Sequence, residues 1–289
     1  MEKKLKVAIL GSGNIGTDLM IKVLRSPYLK CTVLIGRTLD SKGLSKAQSL
    51  GVPVSAESIS YIEKNPDCCD IVFDCTSAKD HVSHAEILAK MGKLVIDLTP
   101  AKLGPMCIPA INMLELLNEQ NVNMVTCGGQ ASTPIAYAIG KTQKDVDYIE
   151  VISSIASRSA GPATRGNLDE YIHTTEISLK HFSKAKRTKA ILVLNPAEPC
   201  INMQTTVLAK VANPDIESLE KVLFPIVDQI RKYVPGYEII VGPKVEDGRI
   251  VVMVKVKGLG DYLPAYAGNL DIINCAAIAM AEQYAKSKR

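Results

Sequence analysis

Near the N-terminus the apolar residues form one short unbroken run, Val7-Ala8-Ile9-Leu10, and then recur at helical spacing as Leu19, Met20, Val23 and Leu24. Four continuous apolar residues read as a strand buried on both faces, and the spacing behind them as a helix with one apolar side. The alternation then repeats. "CTVLIG", "DIVFDCTS" and "GKLVIDLTP" are further strands, and "KDHVSHAEILAKM" is a helix with Val82, Ala85, Ile87, Leu88 and Ala89 as its apolar positions. "INMLELLNEQ" reads as another helix and "NVNMVTC" as the strand after it. This rhythm predicts an α/β fold with an N-terminal Rossmann-type, doubly wound parallel sheet.

Beyond residue 130 the period changes. "DYIEVISSIAS", "KAILVLNPA", "NMQTTVLAKV", "YEIIVG" and "RIVVMVKVKG" are strands, several with period-2 alternation, and the Asp-Gly of "VEDGRI" joins the last two as a hairpin. Two helices interrupt them. "LDEYIHTTEISLKHF" puts Leu168, Tyr171, Ile172, Thr175, Leu179 and Phe182 on one face, and "PDIESLEKVLFPIVDQIRKYV" is the second. The expectation is a second, α+β domain with a mostly antiparallel sheet covered by helices, carrying the substrate and any subunit interface. The last helix, "DIINCAAIAMAEQYAKS", is apolar enough to return to the first domain. The expected division is therefore 1–127 with 270–289, and 128–269.

Composition narrows the class. Of 289 residues 47% are hydrophobic and 22% charged, an ordinary globular profile. The net charge is +4 and the basic runs "KHFSKAKRTK" and "KSKR" read as solvated surface; with 4% aromatics, nucleic-acid binding is not expected. No apolar run approaches the about 18–20 residues that span a bilayer. The chain enters a strand at once, with no room for a signal peptide. Cys68 and Cys69 are adjacent and no CxxC pair occurs, so no metal site is expected. Reduced thiols in a cytoplasmic enzyme are the default.

Two stretches carry chemistry. Gly11, Gly13 and Gly16 spell G-x-G-x-x-G between a strand and a helix, the context a dinucleotide pyrophosphate requires. In "NVNMVTCGGQASTP", Cys127 ends a predicted strand at the junction of the two domains, where α/β enzymes place ligands. Gly128 and Gly129 would turn backbone amides inward, and Ala131 to Ala138 would start a helix with Pro134 in its first turn. A helix N-terminus lowers a neighbouring thiol's pKa, and its amides can hold an oxyanion. A nucleotide beside an activated thiol suggests addition of the thiolate to an aldehyde, hydride transfer to a nicotinamide, and passage of the thioester to an acceptor. Cys31, Cys75 and Cys275 read as core; an inert packed cysteine is the bland alternative for Cys127 too.

Taken together, "LKVAILGSGNIGTDLMIKVLR", "VNMVTCGGQAS", "SRSAGPATRGNLDEY", "NPAEP" and "YLPAYAGNLDI" resemble the acylating acetaldehyde dehydrogenases in order along nearly the whole chain. Those enzymes make acetyl-CoA from acetaldehyde, coenzyme A and NAD, in aromatic hydrocarbon catabolism often beside 4-hydroxy-2-oxovalerate aldolase. The resemblance implies Cys127 as the nucleophile and Ser12, Gly13, Asn14 and Ile15 as the pyrophosphate turn. It implies Ser159, Ala160, Gly161, Pro162, Ala163, Thr164, Arg165, Gly166 and Asn167 as a second nucleotide-binding segment, and Asn269 as a further contact. From the residues alone, Asn167 is also a helix N-cap, Arg165 also a surface charge, and Asn269 either cap or carboxamide donor.

Three departures stand out. The ribose-gripping acid expected after the second strand is replaced by Arg37-Thr38, which opens the site to NADP as well as NAD. The aspartate expected to assist the cysteine aligns with Thr205, whose hydroxyl cannot act as a base near neutral pH, so activation should rest on the helix dipole and backbone donors. The segment before "YLPAYAGNLD" is shorter than the family usually has, which favours a homodimer or homotetramer over an aldolase complex. His173 is the one histidine worth testing as a substitute base. Two other readings stay open: a phosphate-dependent semialdehyde or acyl-phosphate reductase, which usually needs a well-placed histidine, and a nucleotide-binding redox sensor.

Overall fold

The protein is described here by a computed structural model covering residues 4–289, the side chains of Pro162 and Ala163 excepted. It comprises two units, Met1–Met124 with Asp261–Leu263 and Asn274–Arg289, and Val125–Gly260 with Pro264–Ile273. Cys127 thus belongs to the second unit, whereas the sequence division at 127/128 assigns it to the first.

In the first unit the elements follow as β1 (Leu5–Leu10), α1 (Asn14–Arg25), β2 (Leu29–Ile35), α2 (Lys42–Ser49), β3 (Val54–Ser55), α3 (Ser60–Lys64), β4 (Ile71–Asp74), α4 (Ala78–Lys90), β5 (Leu94–Asp97), α5 (Pro109–Asn112) and β6 (Asn121–Asn123). The six strands are parallel in the order β3-β2-β1-β4-β5-β6, the Rossmann order. The unbroken apolar run of β1 is buried throughout, as a central parallel strand must be.

Three expectations change. The predicted helix over "INMLELLNEQ" is α-helical only as α5 and continues as a 3₁₀ turn, because Asn112 turns its carboxamide back onto Ile108 N–H and the Met106 carbonyl. The strand expected over "NVNMVTC" stops at Asn123. On α4 the buried positions are His81, His84 and Leu88, and Val82 is exposed; the helix is rotated so that both imidazoles reach Asp74.

In the second unit come α6 (Cys127–Thr142), β7 (Tyr148–Ala156), α7 (Pro162–Gly166), α8 (Leu168–Ser183), β8 (Arg187–Asn195), β9 (Met203–Lys210), α9 (Ile216–Arg231), β10 (Tyr237–Glu246), β11 (Arg249–Val256) and the start of α10 (Gly268–Ser287). The sheet order is β10-β11-β9-β7-β8, antiparallel except for β7 with β8. Asp247 and Gly248 take positive φ, 48° and 71°, between β10 and β11, as an Asp-Gly hairpin turn requires. Strand β11 lies between β10 and β9, so its alternately buried Ile250, Val252, Val254 and Val256 are not on an edge.

Helix α8 buries Tyr171, Thr174, Thr175, Ser178 and Leu179, while Ile172 and Phe182 are half-buried. Its inner face is lined with hydroxyls because it packs closely on α6. A Cβ on Gly140 would lie 2.2 Å from the Ser183 carbonyl oxygen. Among the described residues no helix is long and apolar enough to cross a membrane.

Candidate active site

Cys127 is the first residue of α6, not the end of a strand, so the helix begins four residues before the predicted start and Pro134 lies well inside it. Thr126 explains the early start. Its extended backbone and its hydroxyl, which accepts the Gly129 N–H at 2.8 Å, form an N-cap. Val125, just before it, holds φ at 62°, a strained conformation for a β-branched residue. Gly128 and Gly129 also serve close approach. A Cβ on Gly128 would meet Tyr171 Oη at 2.1 Å, and one on Gly129 would meet Val125 Cγ1 at 2.6 Å.

The thiol is nearly enclosed, 9% exposed. Burial pushes its pKa up and outweighs the pull of Tyr171 and of the Gly128 and Cys127 backbone amides toward the thiolate, so the thiol stands above its ordinary value, against the expectation that the helix N-terminus lowers it. Sγ lies 3.6 Å from Tyr171 Oη. Ser153 on β7 is packed beside the same phenol, its Oγ 3.3 Å from the Cβ position of Gly128, and Ser153 Oγ lies 3.0 Å from Thr205 Oγ1 on β9. Further along the two helices, Thr126 meets Thr175 at 2.7 Å and Thr133 meets Ser178 at 2.9 Å. His173 is exposed on α8. Tyr171 and Ser153 were not singled out as thiol partners in the sequence. Tyr171 stands one helical turn after Asn167, and Ser153 faces inward on the period-2 pattern of β7, but only the fold brings them to the sulfur.

In the first unit Gly11 (φ 107°) makes the turn out of β1, and a Cβ there would press on the Cys75 carbonyl oxygen at 2.6 Å. A Cβ on Gly16 would lie 1.9 Å from the Gly11 carbonyl oxygen, whereas Gly13, the N-cap of α1, faces open space. No side chain caps α1 and its first turn has no acid. Asn14 is exposed and Ile15 half-buried beside that space. Ser12 Oγ bonds Ser41 Oγ at 2.7 Å, and Arg37 is exposed just past β2.

Segment 159–167 lies in the second unit. Ser159 and Ala160 are buried and Ser159 Oγ donates to the Ala156 carbonyl. Gly161 and Thr164 are half-buried, and Gly166 is exposed. The side chains of Pro162 and Ala163 lie outside the described residues. Arg165 is committed to its own loop, donating to the Ala160 and Ser157 carbonyls and to Ser157 Oγ. Asn167 occupies the N-cap position of α8 without a capping bond from its side chain. Asn269, in the first turn of α10, is 1% exposed, and neither atom of its carboxamide has a partner among the described residues.

Comparison with known proteins follows this division. Residues 127–264 match the family described as prokaryotic acetaldehyde dehydrogenase, dimerisation, and residues 6–119 match the semialdehyde dehydrogenase NAD binding domain. An acetaldehyde dehydrogenase of Spirochaeta aurantia is 64% identical over 99% of this chain and 96% of its own length. One from Pectobacterium atrosepticum is 56% identical over 98% and 96%. The chain belongs to the acetaldehyde dehydrogenase family. Its fold is also that of aspartate semialdehyde dehydrogenase from Candida albicans, solved with NADP: TM-score 0.66 at 13% identity, covering 97% of this chain and all of that one.

A member of this family is an NAD-dependent aldehyde dehydrogenase, and each unit by itself offers groups that suit part of a nicotinamide dinucleotide. The uncapped N-terminus of α1 offers amide donors to a pyrophosphate, and the open space at Gly13 leaves room for it. The buried, unpartnered carboxamide of Asn269 offers one donor and one acceptor, the complement of another carboxamide.

Proposed function

We propose that the protein is a CoA-acylating aldehyde dehydrogenase, converting acetaldehyde or another short aldehyde, CoA and NAD to acyl-CoA and NADH through a thioester on Cys127. The observation that carries this reading is the thiol at the first position of α6, at the helix N-terminus and 3.6 Å from Tyr171 Oη. The Cys127 proton leaves to a solvent base. The thiolate then forms a C–S bond to the carbonyl carbon, and the oxygen that gains charge finds amide donors in the same first turn. Ser12, Gly13, Asn14 and Ile15 at the α1 turn, together with Asn269, would hold a nicotinamide dinucleotide, which would supply the acceptor for the hydride leaving the carbon. Cys127 is left as an acyl thioester. The CoA thiolate attacks it, the bond to Cys127 breaks, and the Cys127 thiolate is restored. Segment 159–167 is proposed as the second contact with the dinucleotide, with Arg165 shaping the loop rather than meeting the ligand.

Arg37, without an acid in the ribose position, would also pair with a 2′-phosphate. NADP turnover comparable to NAD, lost on Arg37→Ala, supports that pairing; unchanged NADP efficiency in the variant removes it. The sheet face opposite the helices carries Ile152, Thr206, Leu208, Val251 and Met253, all half-buried, and a second copy is proposed to cover it, giving a cytoplasmic homodimer or homotetramer active without an aldolase. A monomer active only with 4-hydroxy-2-oxovalerate aldolase would reverse this assignment.

Cys127→Ala tests the chemistry. CoA-dependent aldehyde oxidation is expected to vanish while NAD binding persists, and mass spectrometry of the wild-type protein given acetyl-CoA alone should find acetyl on Cys127. A fully active alanine variant would sink the reading.

A further inference from the structure

The buried hydroxyls behind the thiol form a chain with a direction. Thr205 is fully buried, and among the described residues its hydroxyl has one partner, Ser153 Oγ at 3.0 Å. A buried O–H with a single neighbour donates to it, because leaving the proton unpaired is costly. Ser153 then has its own proton to pass on, and Tyr171 Oη is packed beside it: the Cβ position of Gly128 lies 2.1 Å from Tyr171 Oη and 3.3 Å from Ser153 Oγ. In the neutral site the Cys127 thiol donates to Tyr171 Oη, 3.6 Å away; once the sulfur is ionised, the phenolic proton is the one left to bridge the pair. Tyr171 Oη is also met by the Gly128 backbone N–H, so its acceptor side is occupied and its own proton is the one to give forward.

We infer that Tyr171 donates its phenolic O–H to the Cys127 thiolate, and that Ser153 and Thr205 are positioning residues that orient this donation. The inference rests on Cys127 as the nucleophile and assigns the site a second group that touches it. The chain transfers no proton. The thiol's proton leaves to solvent, and the three hydroxyls only aim their dipoles at the sulfur. This gives Thr205 a use that an aspartate could not have. An ionised carboxylate only accepts hydrogen bonds, so at this position it would draw the Ser153 proton toward itself and turn the chain away from the sulfur. The hydroxyl makes the chain run toward the thiolate. Tyr171 is well suited as donor, since its burial and the facing thiol push its pKa well above the ordinary range and keep it protonated.

The test is the pH dependence of alkylation of Cys127 by iodoacetamide in the intact protein, read at the Cys127 peptide by mass spectrometry. Tyr171→Phe keeps the ring and removes the donor. The alkylation midpoint is expected to rise by about one pH unit or more, as for the loss of a hydrogen bond to an ion. Thr205→Val keeps the shape and removes the last donor, and a smaller rise in the same direction is expected. Thr205→Ser, which keeps the hydroxyl, should restore the wild-type midpoint. An unchanged midpoint in folded Tyr171→Phe, or equal midpoints for Thr205→Val and Thr205→Ser, would overturn the inference. Because alkylation reads the thiol and not turnover, that failure differs from an active Cys127→Ala, which would sink the nucleophile itself.

Discussion

Gly16 and Gly128 each leave no room for a side chain. A Cβ on Gly16 would lie 1.9 Å from the Gly11 carbonyl oxygen, and a Cβ on Gly128 would lie 2.1 Å from Tyr171 Oη. The first neighbour is backbone five positions away in the same turn. The second is the tip of a side chain on another helix, distant in sequence. The dinucleotide turn is thus a local device whose geometry is written in its own spacing. The thiol cradle is a tertiary one, in which the glycine makes way for a partner that the rest of the chain delivers. The two should fail differently when broken.

The largest effect belongs to the local device. In Gly16→Ala the methyl meets a carbonyl that cannot move without unmaking the turn, so a loss of about 3 kcal/mol or more in stability is expected, together with NAD binding. Gly13→Ala sharpens the point. Nothing lies within 4 Å of its Cβ, so melting should cost no more than about 1 kcal/mol. NAD affinity should nevertheless fall, about tenfold or more, because the methyl fills space where the pyrophosphate approaches. Calorimetric titration with thermal melting separates the two. Equal destabilisation of both variants would remove the distinction between structural and ligand-facing glycines.

In the cradle, Gly128→Ala meets a side chain that can swing aside, so the protein should fold but lose the Tyr171 contact. Turnover is expected to fall about 10- to 100-fold, the worth of one hydrogen bond to an ionised sulfur. The variant should share the raised alkylation midpoint of Tyr171→Phe. A Gly128→Ala enzyme with wild-type turnover would mean that Tyr171 does not need its place.

The contrast also explains what could be read before the fold was known. The βαβ order, the pyrophosphate glycines and the Asp-Gly hairpin rest on contacts within a few residues, and they are legible as patterns. Spacing starts α6 too late because Pro134 reads as a first-turn residue. The decisive signal was Thr126, whose capping bond needs an extended backbone that spacing alone does not reveal. On α8 the expected face holds at Tyr171, Thr175 and Leu179 but not at Ile172 and Phe182, because its partner helix comes so close that threonines and serines fill the contact. Apolarity places Val82 inward on α4, and two histidines take its place.

Those histidines mark a last difference between the units. The cradle buries neutral hydroxyls; the first unit buries a titratable cluster. His81 and His84 each approach Asp74 Oδ2 through Nδ1, at 2.9 and 2.8 Å, and His81 Nε2 lies 3.4 Å from Asp97 Oδ2. Burial raises the pKa of Asp97 to about 6, against a lowering pull from His81, Thr99 and Asn123. For His81, burial acts to lower the pKa, but the two aspartates outweigh it and the result is a raised value. The signs give a testable slope. From about pH 4 to about pH 6 the folded Asp97 keeps its proton while an unfolded one loses it, so its contribution to stability falls as pH rises through that window. His81 acts the same way higher up, being favourable below its ordinary 6.5 and lost as pH climbs through its raised value. In Asp97→Asn the first component is absent. The stability of wild type relative to this variant, from denaturant unfolding at a series of pH values, should therefore decline between pH 4 and 6. A difference that grows across that range would show that Asp97 is ionised in the fold and held by His81 as an ion pair.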